Sequence, residues 1–478
     1  MLKKLRIQNF KGWQDTGEIE MAPLTLFFGA NSSGKSSIGQ FLMMLKQTVE
    51  SPDRKAVLYP GGKNSAVQLG SFHDMVYKRD LKNKIQFDYC WTLPETFSGS
   101  YPYKTDKGES VMQFAGNELA FHAEIGMAAE ALSSLALSKF YYELLEDDSA
   151  QLTVGMKRHE EKAKYKFDAS PHEPKRTQGR PWPFDAPVRF YGFPDEVVAY
   201  HQQAEFVQEL NLRHEKLFNS LCYLGPLRIK PDRLYTWSGV EPESVGYAGE
   251  NSIAAILAAS DREISMGKRQ KFYPLKATIA QKLKEMGLIE SFEVEAISEK
   301  RREYEVKVRP KGAPNLVDLP DVGFGISQVL PVLVQCFYAP VGSIIIMEQP
   351  EIHLHPSAQS ALADVMIDVI NSKERRNGKG SEDRNIQLII ETHSEHFLRR
   401  LQRRIAEGKI TQDSVSAYFA NVNKAQATLD SLQIDEYGNI QNWPENFFGD
   451  EMGDISAQAL AGIEKRSREN KAKQEVSE

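Results

Sequence analysis

The sequence predicts an α/β fold, in which a mixed sheet with flanking helices is split in sequence by an α+β insertion. Three apolar runs carry this prediction. The run at residues 24–28 leads into a glycine-rich loop and a helical pattern, the run at 343–347 ends at Glu348, and the run at 386–390 ends at polar residues. Because residues of related chemistry lie near opposite ends of the chain, we expect both ends to form one domain with the insertion between them.

The loop after the first strand has the pattern G-x-x-x-x-G-K-S, which is a complete phosphate-binding loop. Two glycines allow backbone N–H groups to turn inward around phosphate oxygens, and the following helix start adds unpaired donors. Lys35 would reach the β- and γ-phosphates, and the Ser36 hydroxyl would bind Mg²⁺. An ordinary glycine turn is the alternative. The predicted phosphate-contacting residues are Gly29, Asn31, Ser32, Ser33, Gly34, Lys35, Ser36 and Ser37.

The composition limits the classes of protein to which the chain can belong. Its 478 residues carry a net charge of −6, so there is no overall basic field to attract nucleic acid or acidic membranes. The three cysteines lie far apart, which argues against a zinc ribbon or a disulfide framework. The N-terminus lacks an apolar signal segment, and prolines divide the most apolar window, residues 329–347. We expect a cytoplasmic protein without a membrane segment.

Between the two ends the periodicity is mixed. Alternation of apolar and polar residues predicts a strand at 5–10 and a β-hairpin from the runs at 292–297 and 304–308. Residues 372–385 are predicted to be a charged surface loop. Helices are predicted at residues 127–145, 197–222 and 278–286.

Glu348 is predicted to be a second element of the phosphate site. A strand that ends in a carboxylate beside a phosphate loop would hold Mg²⁺ directly or through water. A buried strand that happens to end in glutamate is the alternative. His353 and His355 follow at a spacing that suggests metal binding, but no third ligand of matching type is near, so we expect a conformational role. His393 ends the next strand, where it would contact a γ-phosphate.

Residues 321–328 contain a second element suited to anions. Gly323, Gly325, Ser327 and Gln328 precede a predicted helix, whose start supplies free N–H groups. Because the chain already has a phosphate loop, a second one suggests that a nucleotide is held between two copies of the chain. A plain loop with a helix cap is the alternative.

Together these motifs resemble the ABC-type ATPases of the SMC, RecF and OLD branch, which are loosely called AAA family ATPases. The similarity rests on GANSSGKSS, VGFGISQVLP, SIIIMEQPEIHLHP and LIIETHSEHFL, and it covers residues 1–75 and 220–450. It is greatest for a bacterial subgroup with an EQPE Walker B sequence and a C-terminal stretch of unknown function, here residues 437–448. The resemblance implies an ABC-type P-loop NTPase head with ATP and Mg²⁺ as cofactors.

The resemblance also implies roles for individual residues. Glu348 is the Walker B acid, and His393 matches the switch histidine. The segment at 323–328 resembles the signature that closes over the ATP of a partner, with Gly323 or Ser327 at the place of the signature serine. A homodimer or higher homo-oligomer is therefore expected. The glutamine loop has a weaker candidate at residues 68–74.

We divide the chain by these motifs into five units. They are the N-terminal half of the ATPase head (1–80), a mixed β and helical insertion (81–220), a helical and β-hairpin region leading back to the head (221–316), the C-terminal half of the head (317–430), and a C-terminal extension with a charged tail (431–478).

One position departs from the family pattern. The residue after the Walker B acid is normally the catalytic glutamate, and here it is Gln349. An amide cannot accept a proton as a general base, although it can orient a water molecule. Glu351 is the alternative base. Because loss of a positioned base costs roughly 10²–10⁴-fold in rate, we expect slow hydrolysis, with ATP mainly holding an oligomer closed.

Three functions are compatible with this sequence. Resemblance to anti-phage defence ATPases, such as the Septu-type ATPase, implies a sensor or regulator with a separate effector subunit such as a nuclease, since too few residues follow His393 for a Toprim domain. A RecF-like DNA-repair ATPase and a scaffold that binds ATP without hydrolysis are the alternatives. DNA binding would use basic residues of the insertion, for which a solvated surface is the other explanation: Lys157, Arg158, Lys162, Lys164, Lys175, Arg176 and Arg180.

Overall fold

The computed structural model gives the fold of most of the chain. The residues described here are all except 129–133, 160–163, 180–183, 268–269, 299–301, 377–379, 424–425, 445–446, 448–455, 464 and 467–478. Most of the predicted charged tail and the predicted DNA-contacting residues Lys162 and Arg180 therefore lie outside the described residues.

The strands and helices are numbered in chain order. The strands are β1 (Leu2–Phe10), β2 (Trp13–Asp15), β3 (Ile19–Glu20), β4 (Leu24–Gly29), β5 (Ile85–Thr105), β6 (Gly108–Met127), β7 (Leu135–Glu146), β8 (Ser149–Arg158), β9 (Tyr165–Ser170), β10 (Leu221–Leu224), β11 (Tyr235–Thr236), β12 (Arg262–Ser265), β13 (Tyr273–Pro274), β14 (Ile289–Ala296), β15 (Glu303–Pro310), β16 (Val317–Asp318), β17 (Ile344–Glu348), β18 (Lys373–Arg376), β19 (Glu382–Asp383), β20 (Gln387–Glu391), β21 (Val415–Asn423) and β22 (Gln426–Ser431). The helices are α1 (Lys35–Glu50), α2 (Phe72–Met75), α3 (Asp195–Tyr200), α4 (Phe206–Asn219), α5 (Ser252–Ala258), α6 (Leu275–Glu285), α7 (Phe324–Tyr338), α8 (Pro356–Ile370) and α9 (Glu395–Ala406).

The central sheet joins the two ends of the chain, as the sequence predicts. Its strand order is β10-β17-β20-β4-β21-β22. Strands β10 to β21 of this path run parallel, and β22 pairs antiparallel with β21, so the sheet is mixed. Only β4 comes from the N-terminal part of the chain. The predicted α/β fold with a mixed sheet, flanking helices and a split in sequence is therefore confirmed.

Alternate side chains of the central sheet face two different layers. On β17, Ile344 and Ile346 belong to the hydrophobic cluster that contains α1 and α4, whereas Ile345 and Met347 belong to the cluster that contains α5 to α9. This period of two is the expected geometry of a strand buried on both faces. Helix α1 lies close to the sheet at Gly39, where an added Cβ atom would come within 3.2 Å of the Ile346 side chain.

A second large sheet covers the α1 side of the molecule. Its order is β2-β1-β5-β6-β7-β8-β9, with β3 paired to β1, and its strands are antiparallel. The inner face is rich in aromatic side chains. The first strand of the protein thus belongs to the insertion sheet, while β4 belongs to the central sheet.

The prediction of a helix at residues 127–145 is wrong. Strand β6 ends at Met127, and the described residues from Leu135 onward form strand β7. The buried side chains Phe140, Tyr142 and Leu144 recur every second residue, which is the spacing of a half-buried strand. Leucine and alanine have high helix propensity, but packing against β6 and β8 overrides it here.

Two further predictions needed correction, while the strand at 5–10, the hairpin of β14 and β15, and helix α6 are confirmed. The helix predicted at 197–222 is two helices, α3 and α4, followed by β10, which pairs with β17. The predicted loop at 372–385 contains β18 and β19, and it buries Arg384 completely. The Arg384 guanidinium donates to the carbonyls of Cys336 and Ala339 at 3.0 and 2.7 Å, which are carbonyls left open at the end of α7.

We expect Gln387 to be a stabilising link between the two sheets. Its amide oxygen accepts from Leu2 N–H at 2.8 Å, and its amide nitrogen donates to the carbonyls of Leu2 and Ala22 at 2.7 and 3.1 Å. Gln387→Met leaves these buried backbone groups unpaired, so it should lower the free energy of unfolding by roughly 2–4 kcal/mol. Urea unfolding would measure this. Gln281→Met, at an exposed position of α6, is the control; equal effects of both variants would contradict the expectation.

Candidate functional site

The phosphate-binding loop follows β4 and ends at the first residue of α1. Gly29 and Gly34 have φ values of 139° and 95°, in a region that favours glycine. An added Cβ atom at Gly29 would lie 2.1 Å from the Ala420 carbonyl oxygen, and one at Gly34 would lie 3.1 Å from the Trp13 indole. The indole Nε1–H also donates to Ser37 Oγ at 2.8 Å. Both glycines are therefore required by the backbone conformation and by close packing.

Lys35 lies folded back over this loop. Its ammonium donates to the carbonyls of Gly29 and Ala30 at 3.1 and 2.7 Å, and the residue is only 4% exposed. Burial lowers the pKa of Lys35, and the nearby charge of Glu391 opposes that effect. Ser33 is buried beside the ammonium, while Asn31 and Ser32 are exposed. A buried cation inside a glycine loop is suited to a phosphate anion, so these residues fit a nucleotide triphosphate.

Glu348 lies at the end of β17 and is tied to a segment that sequence reasoning did not assign to the site. Its Oε1 accepts a hydrogen bond from the Tyr223 hydroxyl at 2.7 Å. Burial raises the pKa of Glu348 to about 7 despite that hydrogen bond and the positive charges of Lys11 and Arg228. Arg228 also donates to the main-chain carbonyl of Glu348 at 3.0 Å. The segment at residues 223–228, with the sequence YLGPLR, thus supports the end of β17 with a phenol and a guanidinium.

Glu391 is the main residue that the sequence prediction missed. It ends β20, and the sheet register places it directly beside Glu348 on one side and Phe27 on the other. Burial raises the pKa of Glu391, and the Ser36 hydroxyl and the charge of Lys35 oppose that rise. A strand that ends in a carboxylate was the signal that identified Glu348, and the same signal was present at Glu391.

The turn after β17 connects these carboxylates. Gln349 has a φ of 46° and is half-buried, and its N–H donates to the Glu391 carbonyl at 2.8 Å. Glu351 is buried, and its Oε1 accepts from the His393 N–H at 2.8 Å. Burial raises the pKa of Glu351. Its carboxylate is therefore occupied with holding the backbone of the neighbouring strand end.

His393 lies beside the phosphate loop, and His355 has a capping role. Burial and the charge of Lys35 lower the pKa of the half-buried His393, and the Gly29 carbonyl opposes that effect. His355 begins α8, where its Nδ1 accepts from the Ser357 N–H at 3.3 Å. His353 adopts a φ of 63° in the turn.

The predicted signature residues lie at the start of α7, against the turn after β17. An added Cβ atom at Gly325 would lie 3.2 Å from the His353 carbonyl oxygen. Gly323 borders open space, and Phe324 is 67% exposed. Ser327 Oγ donates to the Phe324 carbonyl at 2.9 Å, and Gln328 is buried in the first turns of the helix. Through Gly325 this segment therefore packs against the turn after β17.

The glutamine-loop candidate and two of the predicted basic residues form hydrogen bonds or ion pairs with nearby residues. Gln68 donates to the Lys63 carbonyl at 3.0 Å, and Ser71 and Asp74 form a capping box at the start of α2. In the insertion, Lys164 lies 3.8 Å from Asp185, and Lys175 pairs with Glu109. Lys157 is exposed on β8.

The oxygen atoms around Ser36 are of the type that Mg²⁺ binds. Ser36, Glu348 and Glu391 present a hydroxyl and two carboxylates, and Oε2 of Glu351 and Oε2 of Glu391 are buried without a hydrogen-bond partner among the described residues. Over the same residues, no group of three or more His, Cys, Asp or Glu side chains forms a cage for a metal ion. Mg²⁺ is usually held by one or two carboxylates and substrate phosphates, so the arrangement fits it.

Comparison with known proteins places this site in a family. The family described as "AAA ATPase domain" matches residues 1–177 and 248–398, which is more than half of the chain. The family described as "Protein of unknown function (DUF3696)" matches residues 410–458, in agreement with the C-terminal stretch of unknown function that the resemblance implied. No curated protein matches the chain.

Several solved structures are similar over most of the chain, at low identity. One is described as an SmcHead bound to the C-winged helix domain of ScpA, with 10% identity, 91% of this chain and 98% of that chain covered, and a TM-score of 0.41. The SMC head domain from Thermotoga maritima has 9% identity, coverages of 91% and 99%, and a TM-score of 0.37. An Smc head domain with an extended coiled coil, bound to the C-terminal domain of ScpA derived from Pyrococcus furiosus, has 9% identity, coverages of 90% and 96%, and a TM-score of 0.42.

Among the helices of the described residues, none is both long enough and apolar enough to span a bilayer.

The raised pKa of Glu348 predicts a pH-dependent cost to stability. Its value rises from 4.5 to about 7 on folding, so its contribution to stability is present below about pH 4.5 and is lost as the pH rises through 7. Glu348→Gln keeps an acceptor for Tyr223 and removes this loss. Near pH 8 the nucleotide-free variant should be more stable than the native protein by roughly 1–3 kcal/mol. Near pH 4.5 the two should be equal.

Urea unfolding of both proteins at the two pH values would measure this effect. Glu382→Gln, at an exposed position of β19, is the matched control. A stability difference for Glu348→Gln that is the same at both pH values would contradict the burial argument.

Proposed function

Because the chain belongs to the AAA ATPase domain family, we propose that it binds ATP with Mg²⁺ at residues 29–37, hydrolyses it slowly, and uses bound ATP to hold copies of itself together. The observation that carries this proposal is the convergence of Lys35, Glu348, Glu391 and His393 on one phosphate loop. The bound nucleotide would supply the phosphate charge and, with Mg²⁺, the electrophile for hydrolysis.

Each residue of the loop has a proposed role. Lys35 holds the β- and γ-phosphates, and backbone N–H groups of the glycine loop hold the others. Ser36 holds Mg²⁺, Glu348 holds it directly or through water, and His393, whose pKa is affected by Lys35 and the Gly29 carbonyl, contacts the γ-phosphate. These roles follow the arrangement of cation, hydroxyl and carboxylates around the loop.

The turn after β17 supports slow hydrolysis. Oε1 of Glu351 accepts the His393 N–H, so we assign Glu351 a positioning role, and the residue directly after Glu348 is an amide and not a general base. Gln349 is half-buried at the same turn and orients the attacking water without accepting its proton.

Assembly of two copies is supported by the start of α7. Gly323 and Gly325 lie in the first turn of α7, where helix N–H groups have no partner within the helix, Ser327 and Gln328 follow directly, and the exposed Phe324 lies beside them. The signature of one copy would therefore complete the ATP site of its partner. Leu227 is 84% exposed, and its neighbour Arg228 donates to the Gln349 carbonyl in the turn after β17. Leu227 therefore adds apolar surface to this contact.

For the biological role, we propose regulation of a separate effector subunit, such as a nuclease, in bacterial anti-phage defence. The support is the resemblance of the EQPE Walker B sequence and of the C-terminal stretch to such ATPases. Purification of the complex from the native host under gentle conditions is the test. Recovery of the ATPase without any nuclease or other toxic protein would count against this role.

One observation favours a RecF-like, DNA-binding ATPase as a second candidate. Lys139, Lys157 and Lys166 lie directly opposite one another on β7, β8 and β9. Like charges in this position destabilise a sheet, and a polyanion would offset their repulsion. Acidic partners of Lys139 and Lys166, which are Glu124 and Asp168, reduce this effect. ATP-dependent, salt-sensitive binding of duplex DNA would favour this candidate.

Lys35→Ala should abolish both nucleotide binding and ATP-dependent assembly, because the variant removes the cation inside the loop. We expect a loss of at least 100-fold, roughly 3 kcal/mol, in affinity for a non-hydrolysed ATP analogue. Equilibrium fluorescence would measure the affinity, and particle mass with and without ATP and Mg²⁺ would measure assembly. Lys55→Ala, on an exposed turn, is the control. Unchanged affinity of Lys35→Ala, or a mass of the native protein that ignores ATP, would contradict the proposal.

Single-turnover hydrolysis should separate the roles of Gln349 and Glu351 in the turn. Gln349→Glu introduces a general base next to Glu348, and we expect it to raise the rate by roughly 10-fold or more. Glu351→Gln should disturb the position of His393 and lower the rate without changing its pH dependence. A change of the pH profile in Glu351→Gln would identify Glu351 as the base. No hydrolysis by the native protein, with unchanged ATP binding, would favour the non-hydrolysing scaffold.

A further inference from the structure

Glu391 ends the strand that lies next to β4, the strand that leads into the phosphate loop. Glu348 ends a strand one place farther from it. Strand β20 lies between β17 and β4, and the register pairs Glu391 with Glu348 on one side and with Phe27 on the other. Neighbouring strands are about 4.8 Å apart. Glu391 is therefore one strand from β4, the strand that leads into the loop, and Glu348 is two strands away.

The contacts of the two carboxylates differ accordingly. The Ser36 hydroxyl and the charge of Lys35 oppose the rise in the pKa of Glu391 that burial causes, and the charge of Glu391 acts in turn on Lys35. Glu348 instead accepts from the Tyr223 hydroxyl at 2.7 Å, and the positive charges that act on it are Lys11 and Arg228. The hydroxyl that is expected to bind Mg²⁺ is thus linked to Glu391.

The burial of Glu391 leaves one of its oxygens without compensation. The residue is 8% exposed, and its Oε2 has no hydrogen-bond partner among the described residues. An ionised carboxylate with an unpaired buried oxygen is costly. Two further carboxylates, those of Glu348 and Glu351, are buried at the same edge of the sheet, so the site gathers negative charge that a divalent cation would neutralise.

We propose that Glu391, together with Ser36, forms the main protein contribution to the magnesium site, and that Glu348 acts on this site from the next strand. The inference rests on the proposed function, since it concerns the Mg²⁺ that accompanies ATP. It adds a residue outside the Walker A and Walker B motifs to the ATP site.

The test is the Mg²⁺ dependence of nucleotide binding, which needs no hydrolysis. A fluorescent, non-hydrolysed ATP analogue is titrated at a fixed concentration with Mg²⁺, and affinity without metal is measured in excess chelator. Glu391→Gln should raise the half-saturating Mg²⁺ concentration by roughly 10–100-fold, while metal-free affinity stays the same or increases because a negative charge is removed. Glu348→Gln should produce a smaller shift. Glu382→Gln, at an exposed position of β19, should behave as the native protein.

Metal-free affinity also reports whether each variant is folded. Glu391→Gln with an unchanged Mg²⁺ midpoint, or a larger shift in Glu348→Gln than in Glu391→Gln, would overturn the inference. An equal loss of affinity with and without Mg²⁺ would overturn it too, because the effect would then be structural. Failure of the proposed function is distinct: the native protein would bind no nucleotide under any condition, and Lys35→Ala would change nothing.

Discussion

The charge at the carboxyl edge of the parallel sheet is the constraint on which the site depends. Glu348 and Glu391 end adjacent parallel strands in register, so their side chains are brought to the same edge by the main-chain hydrogen bonds of the sheet. Both are buried; the charge of Glu391 raises the pKa of Glu348, and the charge of Glu351 raises the pKa of Glu391. Tyr223, Ser36 and Lys35 compensate part of this charge. The negative charge that remains uncompensated makes this edge suited to a cation, such as the Mg²⁺ that accompanies a triphosphate.

The insertion sheet is not an independent appendage, because β1 is linked to β20 and β2 contacts the phosphate loop. Strand β1 pairs with β5 of the insertion, and Gln387 ties its start to β20. Trp13, on β2, packs on Gly34 and donates to Ser37. A displacement of the insertion sheet would therefore reach both the loop and the strand that carries Glu391.

Sequence reasoning succeeded where a motif and its flanking elements agreed. The phosphate loop, the strand before Glu348 and the split of the head were predictable because local pattern and topology point to the same answer. It failed at residues 127–145, where alanine and leucine favoured a helix but the neighbouring strands decided the structure. It also missed Glu391, Tyr223 and Arg228. At Glu391 the local signal, a strand that ends in a carboxylate, was present, but the placement of Tyr223 and Arg228 depends on which strands are neighbours, and no local pattern encodes strand order.

The turn after β17 joins the phosphate loop to the signature segment, and its backbone is strained. Gln349 and His353 have φ values of 46° and 63°, which are unfavourable for residues with a side chain. The hydrogen bonds from Gln349 N–H to the Glu391 carbonyl and from His393 N–H to Glu351 hold the turn in place. On its outer side, the His353 carbonyl packs against Gly325. The turn is therefore held by contacts with the end of β20 on one side and with the start of α7 on the other, and these contacts maintain its unfavourable backbone conformation.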